Sequence, residues 1–264
     1  MSEWKIASGR VSLFPPARGS SAPFSAHDLY RLVWGTEPNI FQKTQNPLMP
    51  TLARGDRGGI LATCSVHPTR VDFNLSGNEN TESAIPTIDD GAFFGHELGR
   101  VVSVLSKQNP IDLALRVAIG LHFLVVSSSI GEANTTLLKA IPHPYSLNLN
   151  SEEDVIFQVN RPYDSQGQPR TRMNFVSKWS VNRLQVLTIA IPVGRAGMQP
   201  SITNPQPAEY IVANAEFDIN SPAKSPSLSK SRQTELLREA LLTGIRFQKQ
   251  IGISIRGLEN GNVP

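Results

Sequence analysis

The stretch "ILATCSVHPTRVDFNLSG", residues 60–77, contains two runs of alternating apolar and polar residues on either side of a turn-like "HPTR". Side chains alternate between the two faces of a β-strand, so each run predicts a strand with one apolar face. The apolar pairs predicted for a hairpin that turns at residues 68–69 are Val66 with Val71, Cys64 with Phe73 and Ala62 with Leu75. Because every pair on that face is apolar, the stretch predicts an antiparallel hairpin with one buried side.

The same register decides how the only cysteine of the chain is interpreted. Cys64 lies three residues before His67, a spacing that would suit a nucleophile and its base or half of a metal site. Alternation, however, puts Cys64 on the apolar face and His67 at the turn on the opposite face. A buried free cysteine behaves as a small apolar residue. We therefore interpret Cys64 as a core residue and predict no catalytic pair here.

Composition predicts a cytoplasmic, soluble, globular protein. The chain has 264 residues, of which 39% are hydrophobic, and one cysteine excludes both a disulfide framework and a multi-cysteine metal site. The N-terminus lacks the basic and apolar segments of a secretory signal. The most apolar stretch, residues 113–129, is interrupted by Arg116 and His122 and is too short to span a bilayer. We expect no membrane partner, no metal and no cofactor.

Periodicity along the chain predicts an α+β fold. Helices are predicted over residues 25–35, 90–108, 132–140 and 231–250, where apolar residues recur at helical spacing. Strands are predicted between them, and residues 36–58 are predicted to form a loop. We interpret the chain as two related halves of β-α-β-β-α type, residues 1–110 and residues 111–264, the second with extra strands. Each half would cover antiparallel sheet with helices.

The sequence contains no complete catalytic motif. "HELGR", residues 96–100, approaches the zinc-binding pattern HExxH, but Arg100 stands where the second histidine is required and cannot bind a metal. Phosphate-binding glycine loops and the nucleophile motif GxSxG are absent. His122 lies within an apolar strand and is interpreted as a core histidine, with the alternative that it faces a ligand.

Basic residues concentrate in the second half. Residues 1–154 contain 12 Lys and Arg against 15 Asp and Glu, whereas residues 155–264 contain 13 against 7. Six of the cations fall in a segment whose only acidic residue is Asp164, and such a segment could follow the phosphate backbone of a nucleic acid. They are Arg161, Arg170, Arg172, Lys178, Arg183 and Arg195. The alternatives are a solvated strand edge and an electrostatic contact between the two halves.

The second half resembles a known family in the order of its segments. The segments are "LRVAIGLHFLVV", "TTLLKAIPHPY" and "EYIVANAEFDIN", followed by a long final helix. In this order they are similar to a sporadically distributed family of bacterial proteins of about this length, which has no established biochemical activity. The resemblance implies no catalytic residues.

A second resemblance concerns the first helix and the C-terminal segment. "HDLYRLVWG", residues 27–35, places a histidine in the first turn of a capped helix, where the helix dipole favours the neutral imidazole that a base requires. Together with the glycines of "LLTGIRFQKQIGISIRGL", residues 241–258, it resembles the CRISPR repeat-processing endonucleases, which are built from two related α+β halves. The resemblance implies metal-independent RNA cleavage with His27 as general base and Tyr30 as positioning group.

Two functions therefore remain open from the sequence. The first is a non-enzymatic binding protein that contacts another macromolecule, either a protein partner or a second copy of itself, through a sheet edge or the basic C-terminal half. The second is the RNA endonuclease with His27. In both, RNA or DNA is a candidate partner of the basic segment.

Overall fold

The structure of the chain, a computed structural model, describes residues 3–16, 24–43, 49–78, 85–141, 155–186, 208–223 and 227–258. Within these ranges the chain forms eleven strands and four helices. In chain order they are β1 (Lys5–Phe14), α1 (Ala26–Trp34), β2 (Ile40–Gln42), β3 (Thr51–Arg57), β4 (Ile60–His67), β5 (Arg70–Gly77), α2 (Gly91–Gln108), β6 (Leu113–Ala114), β7 (Arg116–Ser127), α3 (Ile130–Ala140), β8 (Ile156–Asp164), β9 (Arg172–Val186), β10 (Ala208–Asn220), β11 (Leu228–Ser229) and α4 (Lys230–Gln250).

All four predicted helices are present, and local residues set their ends. Ser25 caps α1, where its hydroxyl accepts a hydrogen bond from the amide of Asp28. Gly35 ends α1 in the left-handed conformation at φ 69°, which glycine adopts without strain. The corresponding caps of α2, α3 and α4 are Asp90, Ser129 and Ser229.

Nine of the described strands form one antiparallel sheet in the order β2-β3-β4-β5-β1-β7-β10-β9-β8, and β6 pairs separately with β11. The register predicted for the β4–β5 hairpin is confirmed in every pair: Val66 with Val71, Cys64 with Phe73, and Ala62 with Leu75. The sheet is continuous through both halves of the chain because β1 and β7 pair in its middle.

The apolar side chains of the sheet face the helices. α1 packs on β3 and β4, α2 on β1 and β5, and α3 and α4 on β7 and β10. One continuous cluster of buried apolar side chains results, and Phe217 lies at the centre of its aromatic part. The rings that contact Phe217 belong to Phe123, Phe175, Trp179 and Phe247. The structure confirms the prediction of an α+β fold with a large antiparallel sheet.

The predicted loop 36–58 contains strands β2 and β3, so that prediction was wrong. β3 reads "TLARGDR", and its glycine and three charged residues give a weak strand signal. The strand forms because all seven of its residues pair with β4. Gly55 is required in β3, since a Cβ atom at this position would collide with the hydroxyl of Tyr30. The first half therefore has more strands than the sequence predicted.

The halves proposed from the sequence meet between α2, which ends at Gln108, and β6, which begins at Leu113. They share one sheet and one apolar cluster, and the division into domains at residue 110 stays a prediction. None of the helices in the described ranges combines the length and apolarity needed to cross a membrane.

Candidate binding site on the open face of the sheet

The face of the sheet opposite the helices, called the open face below, carries polar side chains across its centre. Along β10, the residues that alternate with the buried Ala213, Ala215 and Phe217 are polar and belong to the open face. They are Asn214, Glu216, Asp218 and Asn220. One alternation therefore supplies both the apolar core and the polar face.

A cavity of about 330 Å³ lies at the centre of the open face. Pairing registers place its residues in two neighbouring rows that cross the strands. The first row is Ser8, His122, Glu216, Lys178 and Gln158. The second row is Asn74, Arg10, Gly120, Asp218 and Val176. Both rows line the cavity, which therefore takes residues from both halves of the chain.

Gly120 gives Arg10 room to cross β7. A Cβ atom at Gly120 would lie 3.5 Å from Nη2 and 3.6 Å from Nε of Arg10, so the guanidinium already occupies the space above the glycine. Nη2 of Arg10 reaches Oδ2 of Asp218 on the far side at 3.6 Å. A longer side chain at position 120 would displace Arg10 from this position.

Two ion pairs line the cavity, and Asp218 has a further partner. Lys178 Nζ lies 3.2 Å from Oε1 of Glu216, and both side chains are more than a third exposed. Asp218, in the second row, accepts at Oδ1 a hydrogen bond of 2.6 Å from Nδ2 of Asn220, and its Oδ2 is the atom that faces Arg10. Exposed ion pairs contribute about 0–1 kcal/mol to the free energy of unfolding. Stabilisation of the fold therefore does not account for the presence of these four charged side chains at the cavity.

His122 is partly exposed on the open face and lines the cavity, and its role toward a ligand stays a prediction. Its Nε2 lies 2.9 Å from Oδ1 of the buried Asn214. The amide of Asn214 donates to the carbonyl of Val212, so its Oδ1 is the acceptor and Nε2 of His122 carries the proton.

A β-bulge adjoins the cavity. The pairing of β1 with β7 shifts between Ile6 and Ser8, so Ala7 is an extra residue in β1. Bulges bend a strand and redirect its side chains, and they are common beside binding sites. Beyond the bulge, the open face becomes apolar around Leu124 and Val212.

The predicted catalytic residues His27 and Tyr30 lie on α1, far from the basic segment. His27 Nε2 is 2.8 Å from Oε2 of Glu37, and Nδ1 is 3.3 Å from Asp28. Tyr30 is 1% exposed and packs against Trp34, and burial raises the pKa of its hydroxyl. The immediate surroundings of His27 are thus acidic, with Arg31 bound to the same Glu37.

The six predicted nucleic-acid-binding residues do not form one surface in the described part of the chain. Arg161 lies with its guanidinium over the ring of Phe247 on the helix side, and Lys178 points to the open face. Arg170 is exposed in the turn between β8 and β9. Arg172 and Arg183 pair with Asp164 and Glu209, respectively. Arg195 lies outside the described residues.

"HELGR" in α2 holds a buried acid that sequence reasoning missed. His96 and Arg100 are exposed or partly exposed, as predicted, whereas Glu97 is 1% exposed. Its Oε2 lies 3.7 Å from Nε of Arg57. Among the described residues no group of three or more His, Cys, Asp and Glu side chains could hold a metal ion.

Sequence reasoning also missed Arg10, Gly120, Glu216 and Asp218 as members of one site. The usable signal was the run of alternating polar residues in "ANAEFDIN", residues 213–220. Alternation within β10 predicts which of its residues share a face, but it does not predict which strands lie beside β10. It therefore could not predict that Arg10 of β1 lies close to Asp218.

Comparisons of the chain with protein-family models, with curated proteins and with solved structures found no match.

Cys64 is a core residue, as the sequence indicated. It is 0% exposed, and burial raises the pKa of its thiol, with a further increase from the charge of Asp72. The thiolate is the reactive form of cysteine.

We expect Cys64 in the native protein to resist a disulfide reagent such as DTNB at pH 8 and to react at once in denaturant. Stoichiometric labelling of the native protein within the mixing time would contradict the core assignment.

Proposed function

We propose that this chain is a binding protein without a catalytic step, and that it pairs the edge of β8 with the same strand of a second copy. The observation that carries the proposal is the position of β8 at the end of the sheet. Within the described residues its only strand neighbour is β9. An edge strand of nine residues presents a row of unpaired backbone groups that can add another strand.

The backbone direction at this edge follows from one hydrogen bond. The amide of Val181 donates to the carbonyl of Val155 at 3.0 Å, so residue 155 points its backbone groups toward β9. Alternate residues of an antiparallel pair behave alike. The outward-facing amides therefore belong to Ile156, Gln158 and Asn160, and Pro162 continues the same series without an N–H group.

The opposite edge of the sheet is a weaker candidate. β2 has three residues, and it covers part of β3. A very short edge strand is one of the ways in which proteins limit edge-to-edge pairing.

A second copy is the partner that suits this edge best. A two-fold axis brings two identical edges together in antiparallel orientation, which is the orientation of every pair in this sheet. Pairing centred on Gln158 uses the outward amides of residues 156, 158 and 160 in both copies and needs no N–H from Pro162. It also covers Ile156, which at 70% is the most exposed large apolar side chain of the described residues.

The edge can be tested with a substitution that removes one outward amide. Asn160→Pro removes the N–H group and leaves the bonds between β8 and β9 in place, whereas Asn160→Ala removes only the side chain. Each dimer loses two hydrogen bonds in the proline variant, worth about 1–3 kcal/mol together. We expect the dimer dissociation constant, measured by sedimentation equilibrium, to rise by about tenfold or more for Asn160→Pro and to change little for Asn160→Ala.

Circular dichroism of both variants verifies that they are folded. A wild-type chain that stays monomeric up to its solubility limit would contradict the proposal. A dimer that Asn160→Pro leaves unchanged would show that the interface lies elsewhere.

We also infer that the two halves derive from one duplicated unit. Among the strands of the nine-stranded sheet, the first strand of each half pairs with the last strand of that half, β1 with β5 and β7 with β10. The remaining strands of that sheet follow in sequence order, β2-β3-β4-β5 and β10-β9-β8. In each half a helix follows the first of these strands and another helix comes after the last, with the short strand β11 before α4 in the second half. If the chain arose by duplication, we expect a related protein that consists of one such half. That protein would form a dimer in which the first strand of each copy pairs with the first strand of the other.

Nucleic-acid binding and His27-dependent RNA cleavage remain as predictions with a direct test. Titrations of single- and double-stranded RNA and DNA at about 50 and about 200 mM salt should show a steep loss of affinity if several phosphates are neutralised. Cleavage of bound RNA by the wild type and not by His27→Ala would support the endonuclease. Absence of binding at the lower salt concentration would contradict both predictions.

A further inference from the structure

We propose that the cavity on the open face binds a free α-amino acid as a zwitterion. Arg10 and Lys178 would hold its carboxylate, and Glu216 and Asp218 its ammonium group. This site lies on the face of the sheet and does not depend on the pairing of β8 edges.

The charges around the cavity favour a ligand that carries both signs. Two cations and two anions line it, and both anions lie on β10 with a cation on either side. An inorganic phosphate would face two carboxylates, and a metal ion or a polyamine would face two cations. A zwitterion places each of its charges beside an opposite one.

Arg10 has hydrogen-bonding capacity that the protein does not use. Its Nε is buried without a hydrogen-bond partner in the described residues, and its distance of 3.6 Å to Asp218 is too long for a good hydrogen bond. A guanidinium offers five donors and binds a carboxylate through two of them. The carboxylate of an amino acid would bind the exposed part of this guanidinium, since the Arg10 side chain is 37% exposed.

The remaining lining suits an amino acid better than a base or a sugar. The imidazole of His122 contributes a polar group, and the amides of Asn74 and Gln158 lie at opposite ends of the cavity. Phe217 is the only Phe, Tyr or Trp among the residues that line this cavity, and its ring packs in the aromatic cluster on the helix side. The cavity therefore offers no Phe, Tyr or Trp ring for the stacking that commonly supports recognition of bases and sugars, and the imidazole of His122 is the one ring that lines it beside Phe217.

The size of the cavity limits the ligand. Its volume of about 330 Å³ is near the lower end of the range of about 300–1,000 Å³ that is typical of ligand pockets. This volume accommodates an amino acid with its side chain.

The test begins with the twenty standard amino acids, added singly to the full-length protein during thermal unfolding. We expect at least one to raise Tm by about 2–4 °C or more at saturating concentration. For each amino acid that does so, calorimetry compares the free form with its N-acetyl derivative and its amide. Each derivative lacks one of the two charges, so we expect its affinity to fall by about tenfold or more.

Three variants locate the site. Arg10→Gln and Glu216→Gln each remove one charge from the cavity, and we expect each to weaken binding by about tenfold or more. Arg172→Gln is the matched control, since it breaks an exposed ion pair of the same kind that does not line the cavity. We expect it to bind as the wild type does.

Three results would overturn the proposal. They are a Tm that no amino acid raises, a derivative that binds as well as the free amino acid, and binding that Arg10→Gln and Glu216→Gln both leave unchanged. The comparison of derivatives uses the wild-type protein, so it remains decisive if a variant fails to fold.

Discussion

The antiparallel pairing of β1 with β7 is the interaction on which the rest of the structure depends. β1 bonds to β5 on one side and to β7 on the other, and β7 bonds to β1 and β10. Apolar pairs such as Val11 with Ile119 and Leu13 with Val117 lie in this ladder and are buried under the helices. Without it, the described strands would divide into two smaller sheets, each with a new exposed edge.

The cavity exists for the same reason. Arg10 comes from β1 and Asp218 from β10, and they meet because β7 lies between those strands and contributes Gly120 at the crossing point. A glycine inside a strand weakens it. Here β7 is paired with β1 on one side of Gly120 and with β10 on the other, and this pairing stabilises the strand. The space above Gly120 is therefore available for the side chain of Arg10.

The alternation of side chains made much of the fold predictable. Apart from Leu61, apolar and polar residues alternate along β4 and β5 as burial does, and the register of the hairpin could be derived from the sequence. The helices could be predicted because their capping residues and apolar stripes are local features. β3 could not be predicted, because Gly55 and its charged neighbours form a strand only through pairing with β4 and packing against α1.

The cavity on the open face could not be predicted from the sequence, because it also depends on which strands become neighbours. Polar alternation in β10 was visible, but the order of strands that places β10 beside β7, and β7 beside β1, is set by contacts between segments that lie far apart in the sequence. The basic segment shows the converse. Arg161 and Lys178 are close in sequence but lie on opposite faces of the sheet, because side chains alternate between the faces of a strand and its pairing partner.

Hydrogen exchange of the backbone amides in β1 and β7 tests most directly whether their pairing unites the two halves. If it does, the core amides of β4, β5, β9 and β10 should exchange only through the same global opening as β1 and β7, with one common free energy. If the amides of one half exchange through an opening of lower free energy while the other half stays protected, the halves are independent units and the account is wrong.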